Sequence, residues 1–287
     1  MGGAQRNQRK RQQQRSTQAA RAMAAARGKN SNRNKTIVGI VVVVILAAAI
    51  IGGVLVTNNQ KKAQQNAVIP VVPAPQHYQT KLVGGGVVLA GKSSAKIKLD
   101  FYEDFICPAC GNFFKASDED VVNALADGKI QVRFHMLNFL DKNSNPPGYS
   151  SRAANAALAA AAQGKFADYY NSLYKKQPSE GSAGYTNAQL ISLGQRLKIG
   201  GNFADEVNNG KYVSAINGDF AKAQQDVGAF YQKKYQMPYF ATPTVMYKGQ
   251  ALDVSPLANQ ATGAVQKTPW LQDLLKGKVD VVPKPRQ

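Results

Sequence analysis

Cysteine is almost absent from this chain. The 287 residues hold two, Cys107 and Cys110, with Pro108 and Ala109 between them. A zinc site of the four-ligand kind would need a second pair, and none exists. The two histidines, His77 and His135, lie far apart in sequence, so no metal site is expected. Acid is missing over a long stretch, because the first Asp or Glu is Asp100. The net charge of +19 therefore has an uneven origin. Residues 1–35 carry ten Lys/Arg and no acid, whereas residues 100–287 carry 20 Lys/Arg against 17 Asp/Glu. The excess belongs to the tail and its linker, which excludes a basic nucleic-acid-binding domain, and no nucleic-acid partner is expected. Internal repeats are absent as well.

Long apolar runs are missing with one exception. Ile37 to Val56 is twenty residues of mainly Val, Ile, Ala and Gly without a charge. At about 1.5 Å rise per residue a helix of that length spans roughly 30 Å, the hydrocarbon thickness of a bilayer. A cleaved signal peptide is the alternative. The run is long for an apolar signal region, its basic flank is extended, and no small-x-small cleavage site follows Val56, so an uncleaved anchor is expected. Positive charge stays on the cytoplasmic side, placing the N-terminus inside and the rest outside, where disulfides persist. The expected organisation is a disordered basic cytoplasmic tail (1–35), a single transmembrane helix (36–57), a Pro-containing extended linker (58–81), a folded domain (82–277) and a short C-terminal tail (278–287). The expected localisation is the cell membrane, single-pass, with the folded domain extracytoplasmic.

The chemistry centres on the thiol pair. Lys96 to Ile106 is rich in aromatic and β-branched residues and reads as a strand, and the residues after Cys110 read as a helix. A sulfur at that junction meets unpaired backbone N–H groups and the positive end of the helix dipole, and both favour thiolate. Pro108 suits the first helical turn. A thiolate attacks disulfides, so the pair reads as a redox centre that needs no other cofactor. A permanent structural disulfide is the competing reading, although so short a loop would constrain the unfolded chain little.

Around the pair the pattern runs strand (Val87–Ala90, expected at a sheet edge), strand (95–105), helix, strand (129–140) and a Pro-Pro loop. Helical patterns follow over 151–163, 165–176, 186–197 (with Thr186 as N-cap) and 211–236. Strands return at 244–247 and 251–254 across a Lys248-Gly249 turn, and a last helix covers about 269–276. This is an α/β core interrupted by a helical insertion at about 150–238. His135 and Trp270 are read as core residues.

Four stretches in this order resemble the DsbA-like thiol-disulfide oxidoreductases of the thioredoxin-fold family, in a membrane-anchored form: Asp104-Phe-Ile-Cys-Pro-Ala-Cys110, Tyr149-Ser-Ser-Arg-Ala-Ala154, Gln163-Gly-Lys-Phe166 and Ala241-Thr-Pro-Thr-Val245. The resemblance covers about residues 82–277. It implies a thioredoxin-like fold, with Cys107 as the exposed attacking thiol and Cys110 as its buried partner. It also implies that Pro243 is a cis-proline facing the disulfide, where the residues alone allow an ordinary trans proline. Thr242 would line the peptide-docking edge, and Pro108 and Ala109 would face the substrate.

Two departures stand out. Ala109 occupies a position where strongly oxidising members often carry His, and Phe101 stands where relatives often place a buried proton-relaying acid. Glu103 is the replacement expected from strand alternation, with Asp104 and Asp100 behind it. The implied function is an oxidase that donates the Cys107–Cys110 disulfide to unfolded exported proteins and is recycled by a membrane electron acceptor. The alternatives are an extracytoplasmic reductase or isomerase of the same fold, and a non-enzymatic anchored binding module with a structural disulfide.

Overall fold

The computed structural model describes residues 67–84, 86–235, 241–254 and 265–279, less the side chains at 232, 234 and 235. The expected tail and anchor (1–57), linker residues 58–66 and the last residues from 280 lie outside the described residues. No helix among the described residues is long and apolar enough to cross a membrane.

Six strands form one sheet: β1 (Thr80–Val83), β2 (Val87–Ala90), β3 (Ile97–Glu103), β4 (Ile130–Met136), β5 (Thr244–Tyr247) and β6 (Gln250–Ala251). Their spatial order is β1-β2-β4-β3-β5-β6. Only β3 and β4 run parallel, with Phe101 opposite Phe134 and Glu103 opposite Met136. The crossover that parallel neighbours require is α1 (Pro108–Ala126). Among the described residues, five α-helices follow a one-turn 3-10 helix (Asp141–Asn143) between β4 and β5: α2 (Tyr149–Ala162), α3 (Phe166–Lys175), α4 (Asn187–Arg196), α5 (Phe203–Asn208) and α6 (Val213–Tyr235). The short α7 (Trp270–Leu275) follows the last strands.

Alternation on the central strands assigns the two faces. Phe101 of β3 and Phe134 of β4 point to one side and meet Phe113 of α1, Phe166 and Tyr170 of α3, and Trp270 of α7. Tyr102 and His135 point to the other side, where Ala223 and Val227 of α6 cover the sheet with Leu137 and Ala251. On that face His135 stacks on Tyr102 and stands between two carboxylates, Asp219 at 2.9 Å from Nδ1 and Asp100 at 3.1 Å from Nε2. Burial opposes its charge, and the bonds to Asp100 and Asp219 outweigh that and raise its pKa. Trp270 is a core residue too, donating Nε1–H to Ser117 Oγ at 3.0 Å.

The structure departs from the sequence reading at its N-terminal side. The strand Val87–Ala90 is internal, because β1 pairs outside it. β1 itself begins at Thr80, inside the stretch read as linker. Residues 67–79, also read as free spacer, are extended but docked. Ser172 and Asp168 of α3 accept from Val72 N and Ala74 N, both at 3.0 Å, and Asn171 donates to the carbonyls of Val72 and Pro73. Gln189 and Arg196 of α4 hold the carbonyls of Ala67 and Ile69. Ile69 and Tyr78 are buried in the main core. Proline removes backbone donors, so this strap forms no strand of its own and is held by side chains instead.

Candidate active site

β3 ends at Glu103, and the chain turns through Asp104-Phe105-Ile106 into α1. Cys107 is the N-cap, in extended conformation, and Pro108 takes the first helical position. Asp104 builds this turn. Its carboxylate accepts from Ile106 N at 2.9 Å, Ser150 Oγ at 2.8 Å and Leu140 N at 2.8 Å, tying the cysteine turn to the loop after β4 and to the start of α2. Burial pushes its pKa up to about 6 against those donors. Asp104 is saturated, and Asp100 is engaged by Arg133 and His135 on the opposite face of the sheet. Of the three carboxylates proposed to move protons, only Glu103 has a buried oxygen without a hydrogen-bond partner.

Both cysteines are free thiols within one buried cluster. Cys107, expected to be exposed, has 5% of its surface open, and Cys110 has none. The difference from expectation comes from the loop before β5. The Thr242–Pro243 peptide is cis, and Thr242 O accepts from the Cys107 thiol at 3.3 Å, closing over the sulfur. Thr242 is itself buried, and its hydroxyl has no hydrogen-bond partner. Pro108 and Ala109 are the exposed part of the motif.

The two sulfurs differ sharply in acidity. Hydrogen bonding from the Cys110 thiol, helped by the backbone N–H groups of Cys110 and Ala109, holds Cys107 down to about 7 against the opposing effect of burial. Burial pushes Cys110 well above the ordinary thiol range, although the Asp104 amide donates to its sulfur at 3.5 Å. The first thiol is thus half ionised near neutrality and the second stays protonated.

Glu103, the last residue of β3, is fully buried. Tyr170 Oη donates to its Oε2 at 2.8 Å, and Oε1 has no partner. Burial lifts its pKa to about 8, and its charge, when present, raises that of Cys110. The carboxyl is thus neutral at pH 7, and it is coupled electrostatically to a thiol that resists ionising.

Sequence reasoning missed Gln177, whose Nε2 donates to Cys107 O at 2.8 Å from just beyond α3. A Cβ on Gly111 would collide with the Gln177 amide, so the glycine after the motif makes room for this contact. Gly111 carried the only local trace of it. No group of His, Cys, Asp and Glu suited to a metal occurs among the described residues.

A helix-capping thiol of lowered pKa, a protonated partner one turn on and an opposing proline loop together make a dithiol site of the thioredoxin type. Comparison with known proteins agrees: residues 84–267 match the thioredoxin family, and the chain belongs to it. The fold is shared with MdbA, a thiol-disulfide oxidoreductase from Corynebacterium diphtheriae, at 22% identity and a TM-score of 0.51 over 68% of this chain and 94% of that one. BdbD from Bacillus subtilis shares it at 17% identity and a TM-score of 0.50, covering 69% and 96% of the two chains. Serine/threonine-protein kinase PknE of Mycobacterium tuberculosis is 37% identical over 116 residues, which are 38% of this chain and 20% of the kinase. The chain thus spans a fifth of the length of that curated relative.

Proposed function

We propose that this protein is an extracytoplasmic oxidase, anchored through residues 37–56, that donates the Cys107–Cys110 disulfide to exported, unfolded proteins and is reoxidised by a membrane electron acceptor. The observation that carries the reading is the split in acidity between the two sulfurs, with Glu103 beside them. A substrate thiolate attacks Cys107, and Cys110 departs. Because a thiolate at Cys110 is disfavoured, it leaves well only if a proton reaches it, and the neutral Glu103 carboxyl supplies one. A second substrate thiol then displaces Cys107, which is stable as a thiolate. Stabilising that thiolate stabilises the reduced enzyme, and so makes the disulfide a better oxidant. Pro108 and Ala109 form the open lip against which the substrate lies, with the Thr242–Pro243 loop opposite.

The reductase or isomerase reading draws on the same acidity. A Cys107 pKa of about 7 equals the value of about 7 typical of thioredoxin and stands far above the ~3.5 of DsbA. The anchor and the positive-inside charge suit either enzyme, and the reduction potential of the pair separates them.

Incubation of the purified disulfide form with a reduced, unfolded disulfide protein tests the assignment. Cys107→Ser abolishes thiol oxidation, and Cys110→Ser accumulates a mixed disulfide through Cys107. Full activity in Cys107→Ser would end the redox reading and leave the binding-module alternative.

A further inference from the structure

The reading that follows rests on Glu103 serving as the acid for Cys110. Glu103 is sealed from solvent, with Oε1 unpartnered and Oε2 closed by Tyr170, so a proton it gives up has to be replaced through the protein. Tyr170 also lines a small cavity between the sheet and α1. Its room for water centres is about 10 Å³, roughly that of one molecule. The walls are mainly aromatic, with Phe101, Phe113, Phe114 and Phe134 among them, and the polar lining groups are Tyr78, Ser117, Asp118 and Tyr170. Three of these four are buried, and Ser117 already accepts from Trp270. Asp118 alone is partly exposed, so it reaches both the cavity and the surface.

We propose that Asp118 is the outer acid of a proton path that runs through one water in this cavity and the Tyr170 hydroxyl to Glu103, and from there to Cys110. Attack of the substrate thiolate forms the new S–S bond at Cys107 as the Cys107–Cys110 bond breaks, and the electron pair goes to Cys110, which takes the proton of Glu103. Tyr170 then gives its hydroxyl proton to Glu103 and receives one from the water. The water receives one from Asp118, which is replenished from solvent. The charged groups around the path are Lys175 and Glu119 beside Asp118, Asp168 facing Tyr78, and Cys107 facing Glu103. Burial lifts Asp118 to about 6, below the value of about 8 at Glu103, so the transfer inward is downhill. Asp118 acts through Tyr170 and Glu103 and touches neither sulfur, so its role is to position and supply the proton.

The test is rapid mixing of the disulfide form with dithiothreitol at about pH 7. Disulfide cleavage is read by Trp270 fluorescence, and the protonated carboxyl by its infrared C=O band, assigned with Glu103→Gln. In the native protein the Glu103 band bleaches on cleavage and recovers. Asp118→Asn slows the recovery roughly tenfold, a modest share of the 100- to 10,000-fold typical of acid–base groups. Cleavage itself keeps its native rate on the first turnover, and Asp118→Glu restores recovery. Tyr170→Phe gives the same lag, and the double variant is no slower than the slower single one. Native recovery in Asp118→Asn overturns the path while leaving Glu103 as the acid, and so do delays that multiply in the double variant. Absence of any bleach in the native protein removes Glu103 from the reaction, and the path with it.

Discussion

The residue that distinguishes this site is Glu103, because its burial is costly and has a measurable signature. Its pKa lies at about 8 in the folded chain against 4.5 as the ordinary value. A raised carboxyl pKa means that the folded state binds the proton more tightly than the unfolded one. The stability this confers is complete below about pH 4.5 and is lost as pH rises through about 8. Glu103→Gln keeps the shape and removes the titration. The variant is therefore expected to gain a few kcal/mol over the native protein between those limits, the gain levelling off above about pH 8. Denaturant unfolding across that range checks it, and a pH-independent difference would contradict it.

A second residue-scale prediction concerns Ala109, which offers Cys107 only its backbone N–H. Ala109→His adds a donor and a partial charge at the open lip. The Cys107 pKa is expected to fall by about one unit, which corresponds to roughly 30 mV of added oxidising power. Thiolate absorbance against pH, in a Cys110→Ser background, reads the pKa directly.

Among elements, the junction of β3 and α1 was legible from sequence because the strand pattern, the two cysteines and Pro108 are contiguous. So were the N-cap at Thr186, whose side chain accepts from Gln189 N, and the turn at Lys248-Gly249, where local chemistry decides the backbone. Three elements were not legible. β1 is four residues long and follows the prolines, so only its pairing with β2 makes it a strand. α5 is six residues in a Gly- and Asn-rich stretch, and it exists by packing, with Phe203 against Tyr169. The strap at 67–79 takes its partners from α3 and α4, about a hundred residues on. Gln177 escaped for the same reason, since nothing near it names Cys107. The packing of α5 makes a specific prediction at Gly194 of α4, where a Cβ would collide with the Phe203 ring. Gly194→Ala has good helix propensity, yet it is expected to lose about 1–3 kcal/mol by overpacking. Thermal unfolding checks it, and a raised Tm would show that propensity had won.

For the molecule as a whole, the uneven charge and the single apolar run set the expected topology, and the strap sets where the folded domain begins. The domain reads from sequence as starting at residue 82, but its buried side chains reach back to Ile69. A chain starting at Ala67 is expected to unfold at the same temperature as one that includes residues 58–66. A chain starting at Thr80 loses the buried Ile69 and Tyr78, each worth about 1.5–3 kcal/mol, and is expected to be several kcal/mol less stable. Equal stability of the two truncated chains would mean that the strap is only laid on the surface.

The direction of electron flow is the central claim, and it is tested most directly by the reduction potential of the Cys107–Cys110 pair in glutathione buffers. A thiolate stabilised to about 7, without a histidine at Ala109, predicts a value between the roughly −270 mV of thioredoxin and the roughly −120 mV of DsbA, nearer the oxidising side of glutathione. A potential at or below about −270 mV would contradict the oxidase and establish a reductant on the same site.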